Sequence, residues 1–447
     1  MEHYHFIALG GGSAGLASST RIAAAGKKVA LIDPAPIGGL CSLRGCNPKK
    51  ILVRATEVLQ EVRDASEHGI IGATAGIDWG AVIARKHRFT DPVTEDTERS
   101  LADKKVEHIV GTPRFIAADR LEVNGRAISF DGLVIATGST PSPLLFSGAE
   151  LVHTSDDILE LHQVPRSLVI IGSGVVAFEF AQVFARSGSI VHMLLHGKPL
   201  HQFEEDLVSR LVEHSRILGI VFHPDATVAA VERTGEMLAV KLVEGTTLDA
   251  DFVLNATGRV VQPGDLNLAA AGVQCSTRGV TVDDFLRSPG NPRIFAAGDA
   301  HGRMMLSPVA SYEGKIVAHN FLHQPQEKVD YRAIPSTVFT VPPLATVGMT
   351  EAEARDAGLD IEVSTQDMSS WTVFSIANAR PAHGKLISEK GSGRIVGAHL
   401  YLAAADNIIH FFAMAIRYGI TRPQLAEMVY AYPTLSSAMA YLISYSD

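Results

Sequence analysis

The chain has 447 residues, 46% hydrophobic and 19% charged, an ordinary globular composition with enough length for two to four domains. A formal charge of -9 leaves no basic footprint, which argues against nucleic acid as a partner and favours small diffusing substrates. Three cysteines are too few for a secreted disulfide scaffold, and no apolar run reaches membrane length. The N-terminus lacks a basic region before its short apolar stretch, so the expected location is the cytoplasm, with no membrane partner.

In chain order, His5-Phe6-Ile7-Ala8-Leu9 reads as a buried strand, and Gly10-Gly11-Gly12-Ser13-Ala14-Gly15 follows it into an Ala-rich helix over about 16–25. Gly10 permits the tight turn, Gly12 lets a pyrophosphate approach the backbone, and Gly15 lets helix and strand pack closely. A second strand, 28–33, ends in Asp33, about 20 residues downstream, where a ribose hydroxyl needs an acceptor. Strand, glycine turn, helix and terminal acid together predict a dinucleotide-binding fold.

Next comes Gly38-Gly39-Leu40-Cys41, then Cys46 and Asn47-Pro48-Lys49-Lys50. Two cysteines this close form a short ring that opens and closes cheaply. A helix start with Arg44, Lys49 and Lys50 nearby should lower their pKa values. The alternatives are two buried small residues or half a zinc site, yet zinc needs two more ligands and Cys275 stands alone far downstream; no metal site is expected. Helical spacing covers 51–65, and a charged helix is predicted over about 83–104. Strands are predicted at 106–115 and 120–123, and an apolar run from Gly132 reaches Thr137 and Gly138. A second unit repeats the first: strand 167–171, a turn with Gly172 and Gly174, a helix over 178–186 and a strand over 190–195. Two such folds imply two dinucleotides. The second strand ends in His196-Gly197-Lys198 and not in an acid, which suits NADPH better than NADH because an acid there repels a 2′-phosphate.

The stretch Gly-Gly-x-Cys-x4-Cys-x-Pro-Lys resembles the redox motif of the FAD-dependent pyridine nucleotide-disulfide oxidoreductases, among them the glutathione reductases, dihydrolipoamide dehydrogenases and mercuric reductases. The resemblance spans nearly the whole chain. It implies an α/β fold with two Rossmann-like dinucleotide-binding domains and a C-terminal α+β dimerisation domain. The expected segments are 1–150 for FAD, 151–262 for NAD(P), 263–332 completing the FAD domain, and 333–447 for dimerisation. It further implies a homodimer, with FAD and NADPH (or NADH) as cofactors. Cys46 would be the flavin-proximal thiolate and Cys41 the interchange thiol, with Lys49 paired to Glu179 beside the flavin. Thr137-Gly138 and Gly258-Arg259 resemble the segments closing the two nucleotide domains, Gly298-Asp299 the second FAD motif, and Ser307 the helix start bordering the flavin, with Ser for the commoner Thr. The apolar helix 403–418 suits a subunit interface, with a core helix of the monomer as the alternative.

The C-terminal segment departs from the family. Its His-Pro-Thr-x-x-Glu reads Tyr432-Pro433-Thr434-Leu435-Ser436-Ser437 here. Histidine titrates near neutrality and shuttles the thiol proton, whereas tyrosine has an unperturbed pKa of about 10. Losing that acid-base partner costs on the order of 10²- to 10⁴-fold in disulfide exchange. Mercuric reductases also place a tyrosine there, but they carry a C-terminal cysteine pair, and this chain ends 443–447 without one. His410 is an alternative acid-base group. The expected activity is therefore a glutathione-reductase-like NAD(P)H:disulfide oxidoreductase with an altered acid. Its rivals are a reductase of a metal ion, quinone or other electrophile, and a slow-turnover flavin/thiol redox sensor.

Overall fold

The computed structural model describes residues 1–72, 75–261 and 264–444. The expected domain boundary at 262/263 and residues 445–447 of the C-terminal tail fall outside them. The chain forms two compact units.

The first unit comprises Met1–Ile51, Ala81–Pro143 and Gly258–Val329. Its sheet is built on five parallel strands in the order Asn291–Ala296, Arg126–Ile135, Glu2–Leu9, Val29–Asp33 and Val106–Val110. Alternate residues serve opposite faces. Ile7, Leu9, Ile32 and Ile135 join one core, while Phe6, Ala8, Leu31 and Val134 join another. Burial on both faces explains why these strands read as continuous apolar runs. Leu9 lies opposite both Ile32 and Ile135, so the loops after these three strands gather at one edge.

Several boundaries differ from the sequence expectation. The first helix starts at Ser13, so the glycine turn already contributes its first turn. The helix expected from 51 instead spans Cys46–Arg63; Pro48 fits in a first turn, where a backbone N–H has no intrahelical partner. The charged helix is two, Trp79–Thr90 and Val93–Asp103. Pro92, the cap of the second, divides them because it has no N–H to donate back to the first. The strand expected over 106–115 breaks where Gly111 donates to Asp33 O, and resumes at Arg114–Ala117.

The second unit comprises Leu52–Gly80, Leu144–Thr257 and Asp330–Asp447. A parallel sheet runs Val221–His223, Ile190–Leu194, Ser167–Ile171, Phe252–Asn255, with the helix Val175–Arg186 following its central strand. A five-stranded antiparallel sheet carries the apolar helix Ala405–Tyr418, whose Ile409 and Phe412 are fully buried. These two parts meet at Lys385, whose Nζ lies 2.9 Å from Glu204 Oε1, 2.9 Å from Asp206 Oδ2 and 3.1 Å from Glu351 Oε2, with the lysine side chain 7% exposed. Burial alone would lower the Lys385 pKa, but its bonds to Glu204 and Asp206 outweigh that and hold it above the ordinary value.

Candidate active site: a dithiol beside a dinucleotide cradle

The first glycine loop is shaped by close approach. Gly10 has φ +110°, and a Cβ on it would lie 2.3 Å from Ala136 O. A Cβ on Gly15 would lie 1.9 Å from Gly10 O, and one on Gly39 would lie 2.5 Å from Gly12 Cα. The helix Ser13–Ala24 has Gly12 as its cap, without a side-chain cap bond or an acid in its first turn. Its leading N–H groups therefore face outward for an anion. This donor set, with side-chain-free backbone at Gly12 and Gly39, fits the pyrophosphate of FAD. Asp33 caps the loop: Gly11 N–H donates to Oδ2 at 2.6 Å and Ala35 N–H to Oδ1 at 2.9 Å.

Residues far apart in sequence complete the edge. Past Thr137 and Gly138, the Ser139 hydroxyl donates to Asp299 Oδ2 at 2.6 Å and accepts from Arg259 Nε at 2.9 Å. Gly258 O accepts from Ser142 N–H, and Arg259 pairs with Pro141 across a short bridge. Ser307 opens the helix Ser307–Leu322, and its hydroxyl lies 2.9 Å from that of Ser13.

Cys41 lies within the short helix Gly39–Leu43 and Cys46 begins the next, both as free thiols. Their two pKa values move in opposite directions. Cys41 is lowered to about 6, chiefly because the Cys46 S–H donates to it, helped by the Ser307 hydroxyl and the Lys49 charge against the opposing effect of burial. Cys46 keeps the proton and is raised, by its bond to Cys41 and then by burial. Cys41 is thus the more acidic thiol of the pair.

A cavity of about 660 Å³ opens next to this chain of hydroxyls. Ser13 lines it, and so links it through Ser307 to Cys41. Arg21, Lys104 and Lys315 supply cations, Asp96 an anion, and Thr97 and Ser311 hydroxyls. None of these was singled out in the sequence except Ser13. The periodic placement of Arg21 and Thr20 one turn beyond the glycine loop was the available signal.

The second unit holds the remaining expected residues. A Cβ on Gly172 would lie 2.1 Å from Ala256 O, and Gly174 caps the helix Val175–Arg186, again with no side-chain cap bond or first-turn acid. That uncapped end fits the pyrophosphate of a second dinucleotide. His196 and Lys198 are exposed, and Lys198 Nζ is 3.0 Å from Glu205 Oε2. Glu179 is fully buried, its Oε1 accepting the Phe339 N–H at 2.9 Å. Tyr432 is 68% exposed. Ser437 is committed locally, since its hydroxyl donates to Thr434 O and its N–H to Thr434 Oγ1. His410 lies exposed on the helix Ala405–Tyr418. Among the described residues no three His, Cys, Asp or Glu side chains cluster as a metal site, and no helix is long and apolar enough to cross a membrane.

Residues 4–314 match the profile described as pyridine nucleotide-disulphide oxidoreductase, and residues 334–443 match the dimerisation domain of the same group. Over 446 residues the chain is 32% identical to a glutathione reductase of Burkholderia cepacia, covering 99% of each. It is 30% identical to a mercuric reductase of Lysinibacillus sphaericus, covering 98% of this chain and 82% of that one. Among solved structures, the HOCl-induced flavoprotein disulfide reductase RclA from Escherichia coli superposes with a TM-score of 0.90 at 27% identity, covering 99% of both chains; RclA has also been solved as a Cu(II) complex. The chain belongs to the pyridine nucleotide-disulphide oxidoreductases, flavoenzymes that work with FAD and NAD(P)H.

Proposed function

We propose that this protein is an NAD(P)H-dependent reductase of a glutathione-like, low-molecular-weight disulfide, acting through Cys41 and Cys46. The observation that carries the reading is the Cys41–Cys46 pair of free thiols at the head of a helix, with Cys41 lowered to about 6 by the Cys46 thiol, the Ser307 hydroxyl and the Lys49 charge. We assign 1–150 and 263–332 to binding FAD, 151–262 to binding the pyridine nucleotide and 333–447 to pairing with a second copy. Gly10, Gly12, Gly15, Asp33 and Gly39 cradle the FAD diphosphate and ribose, and Asp299 accepts from its sugar-alcohol chain. His196 and Lys198, in place of an acid, favour NADPH. FAD, when bound, relays two electrons from the nicotinamide to the protein disulfide.

The reduced pair then acts on the acceptor. Cys41 thiolate attacks one sulfur of R–S–S–R, forming a Cys41–S–S–R bond and expelling RS⁻. Cys46 gives up its proton to that thiolate or to solvent and attacks the Cys41 sulfur, restoring the protein disulfide and releasing the second RS⁻. Two electrons leave the dithiol and two thiols are formed. Because the Cys46 thiol, with Ser307 and Lys49, lowers the Cys41 pKa, attack needs no histidine base. Protonation of the leaving thiolate does need a donor, and an exposed Tyr432, reaching from a second copy, supplies a hydrogen bond but little acidity at pH 7.

A second reading is favoured by the Cu(II) complex of RclA: a thiol-bound metal ion accepts electrons without a leaving group to protonate, which removes the need for histidine. The test is anaerobic titration with NADPH and with NADH, followed by rapid mixing with oxidised glutathione. The disulfide reading expects a long-wavelength thiolate-to-flavin absorbance that decays rapidly on mixing, with that decay lost in Cys41→Ser. If the absorbance persists with glutathione but decays with Cu(II), the acceptor is the metal ion.

A further inference from the structure

The first unit buries a histidine-glutamate pair that the dithiol chemistry leaves unused. Glu313 lies on the helix Ser307–Leu322 with no exposed surface, and His301 Nε2 is 2.9 Å from its Oε2, the His301 side chain being 4% exposed. The same Oε2 accepts the Gly298 N–H at 2.6 Å. In its Nε2–H tautomer His301 donates to the same oxygen that takes the Gly298 N–H. A carboxylate removed from water must be held by donors. Here two of them come from one short turn, Gly298–His301, and they bracket Asp299.

The turn is also wedged. Gly298 has φ +67°, and a Cβ on it would lie 3.0 Å from Ala310 Cβ and 3.4 Å from Ala14 Cβ. A Cβ on Gly314, the neighbour of Glu313, would lie 2.5 Å from Ala14 O. The helices Ser13–Ala24 and Ser307–Leu322 therefore close around the turn, and Glu313 grips its backbone from the second of them. On its outer side Asp299 Oδ2 takes the Ser139 hydroxyl. We propose that Glu313 and His301 are a positioning pair that aims the Asp299 carboxylate at the sugar-alcohol chain of FAD, by clamping the turn at both of its ends. The inference rests on the assignment of Asp299 to FAD.

The test strips FAD from the purified protein and follows rebinding by flavin fluorescence, together with the absorption spectrum of the rebound flavin. Glu313→Ala is expected to weaken FAD binding about 10- to 100-fold, the range set by orphaning two buried donors, and to shift the flavin bands. Asp299→Ala should weaken it comparably, and the double variant little further. A folded Glu313→Ala that rebinds FAD with the wild-type affinity and spectrum overturns the proposal, as do strictly additive losses in the double variant. If Glu313→Ala does not fold, His301→Ala and His301→Gln decide. Loss in the first with recovery in the second supports the clamp, and equal loss in both overturns it. Unchanged FAD binding in Asp299→Ala alone shows instead that the Asp299 assignment is wrong, and removes the ground on which the pair's role stands.

Discussion

The two glycine loops share a plan and differ in how tightly they are tied. In both, the first glycine passes under a carbonyl of a neighbouring strand, Ala136 O against Gly10 and Ala256 O against Gly172, at Cβ distances of 2.3 Å and 2.1 Å. Beyond that point they diverge. In the first, Gly15 packs on Gly10 O and Asp33 takes two backbone N–H groups of the loop and its neighbour. In the second, Ala177 accommodates a side chain at the corresponding place, and the strand Ile190–Leu194 runs out into exposed His196 and Lys198. One scaffold thus provides a closed cradle suited to a resident cofactor and an open one suited to a nucleotide that comes and goes.

The sharpest way to break this contrast is to exchange the packing residues. Gly15→Ala places a methyl 1.9 Å from Gly10 O and should destabilise the protein by about 3 kcal/mol, with loss of flavin on purification. Ala177→Gly should cost about 1 kcal/mol and leave the flavin content unchanged; equal effects in thermal unfolding would erase the distinction. Next in size, Asp33→Ala orphans two N–H groups and should weaken FAD binding by about 2 kcal/mol, read by flavin rebinding. Third, the closed half also carries the dithiol, so alkylation of the reduced protein should follow a midpoint near pH 6. Because the Cys41 pKa is lowered, reactivity is full above that value and is lost as pH falls through it, whereas an ordinary thiol stays unreactive until about pH 8.5. Iodoacetamide rates across pH 5–8 check this. The smallest effect is expected in the open half. Lys198→Ala breaks an exposed pair with Glu205 and should change stability by less than about 0.5 kcal/mol, while raising KM for NADPH and not for NADH.

Local patterns carried most of the fold. The strands 5–9, 28–33 and 167–171 were legible because both their faces are buried, and the loops because Gly10, Gly15 and Gly172 stand where a side chain would strike backbone. What escaped reading depends on partners distant in sequence. Ser139 meets Asp299 and Arg259 across 160 and 120 residues, and Ser13 meets Ser307 across 294. No periodicity reports such pairings. Glu313 left a weak sign, a carboxylate on the apolar face of a helix, and its meaning appears only once Gly298 lies against it. Pro92 was readable in principle: the charge pattern over 83–104 suggested one helix, but proline chemistry ends it at Thr90.

The grip of Glu204, Asp206 and Glu351 on Lys385 bears on how the protein meets changing ionic strength. Exposed pairs such as Lys198 with Glu205 fade once the Debye length shrinks to a few ångströms, but a lysine with 7% of its side chain exposed is beyond the reach of mobile ions. In concentrated salt the chain would shed its surface charge pairs and keep this knot, so the four-stranded parallel sheet and the five-stranded sheet of the second unit should remain fastened in brine as they are in dilute buffer.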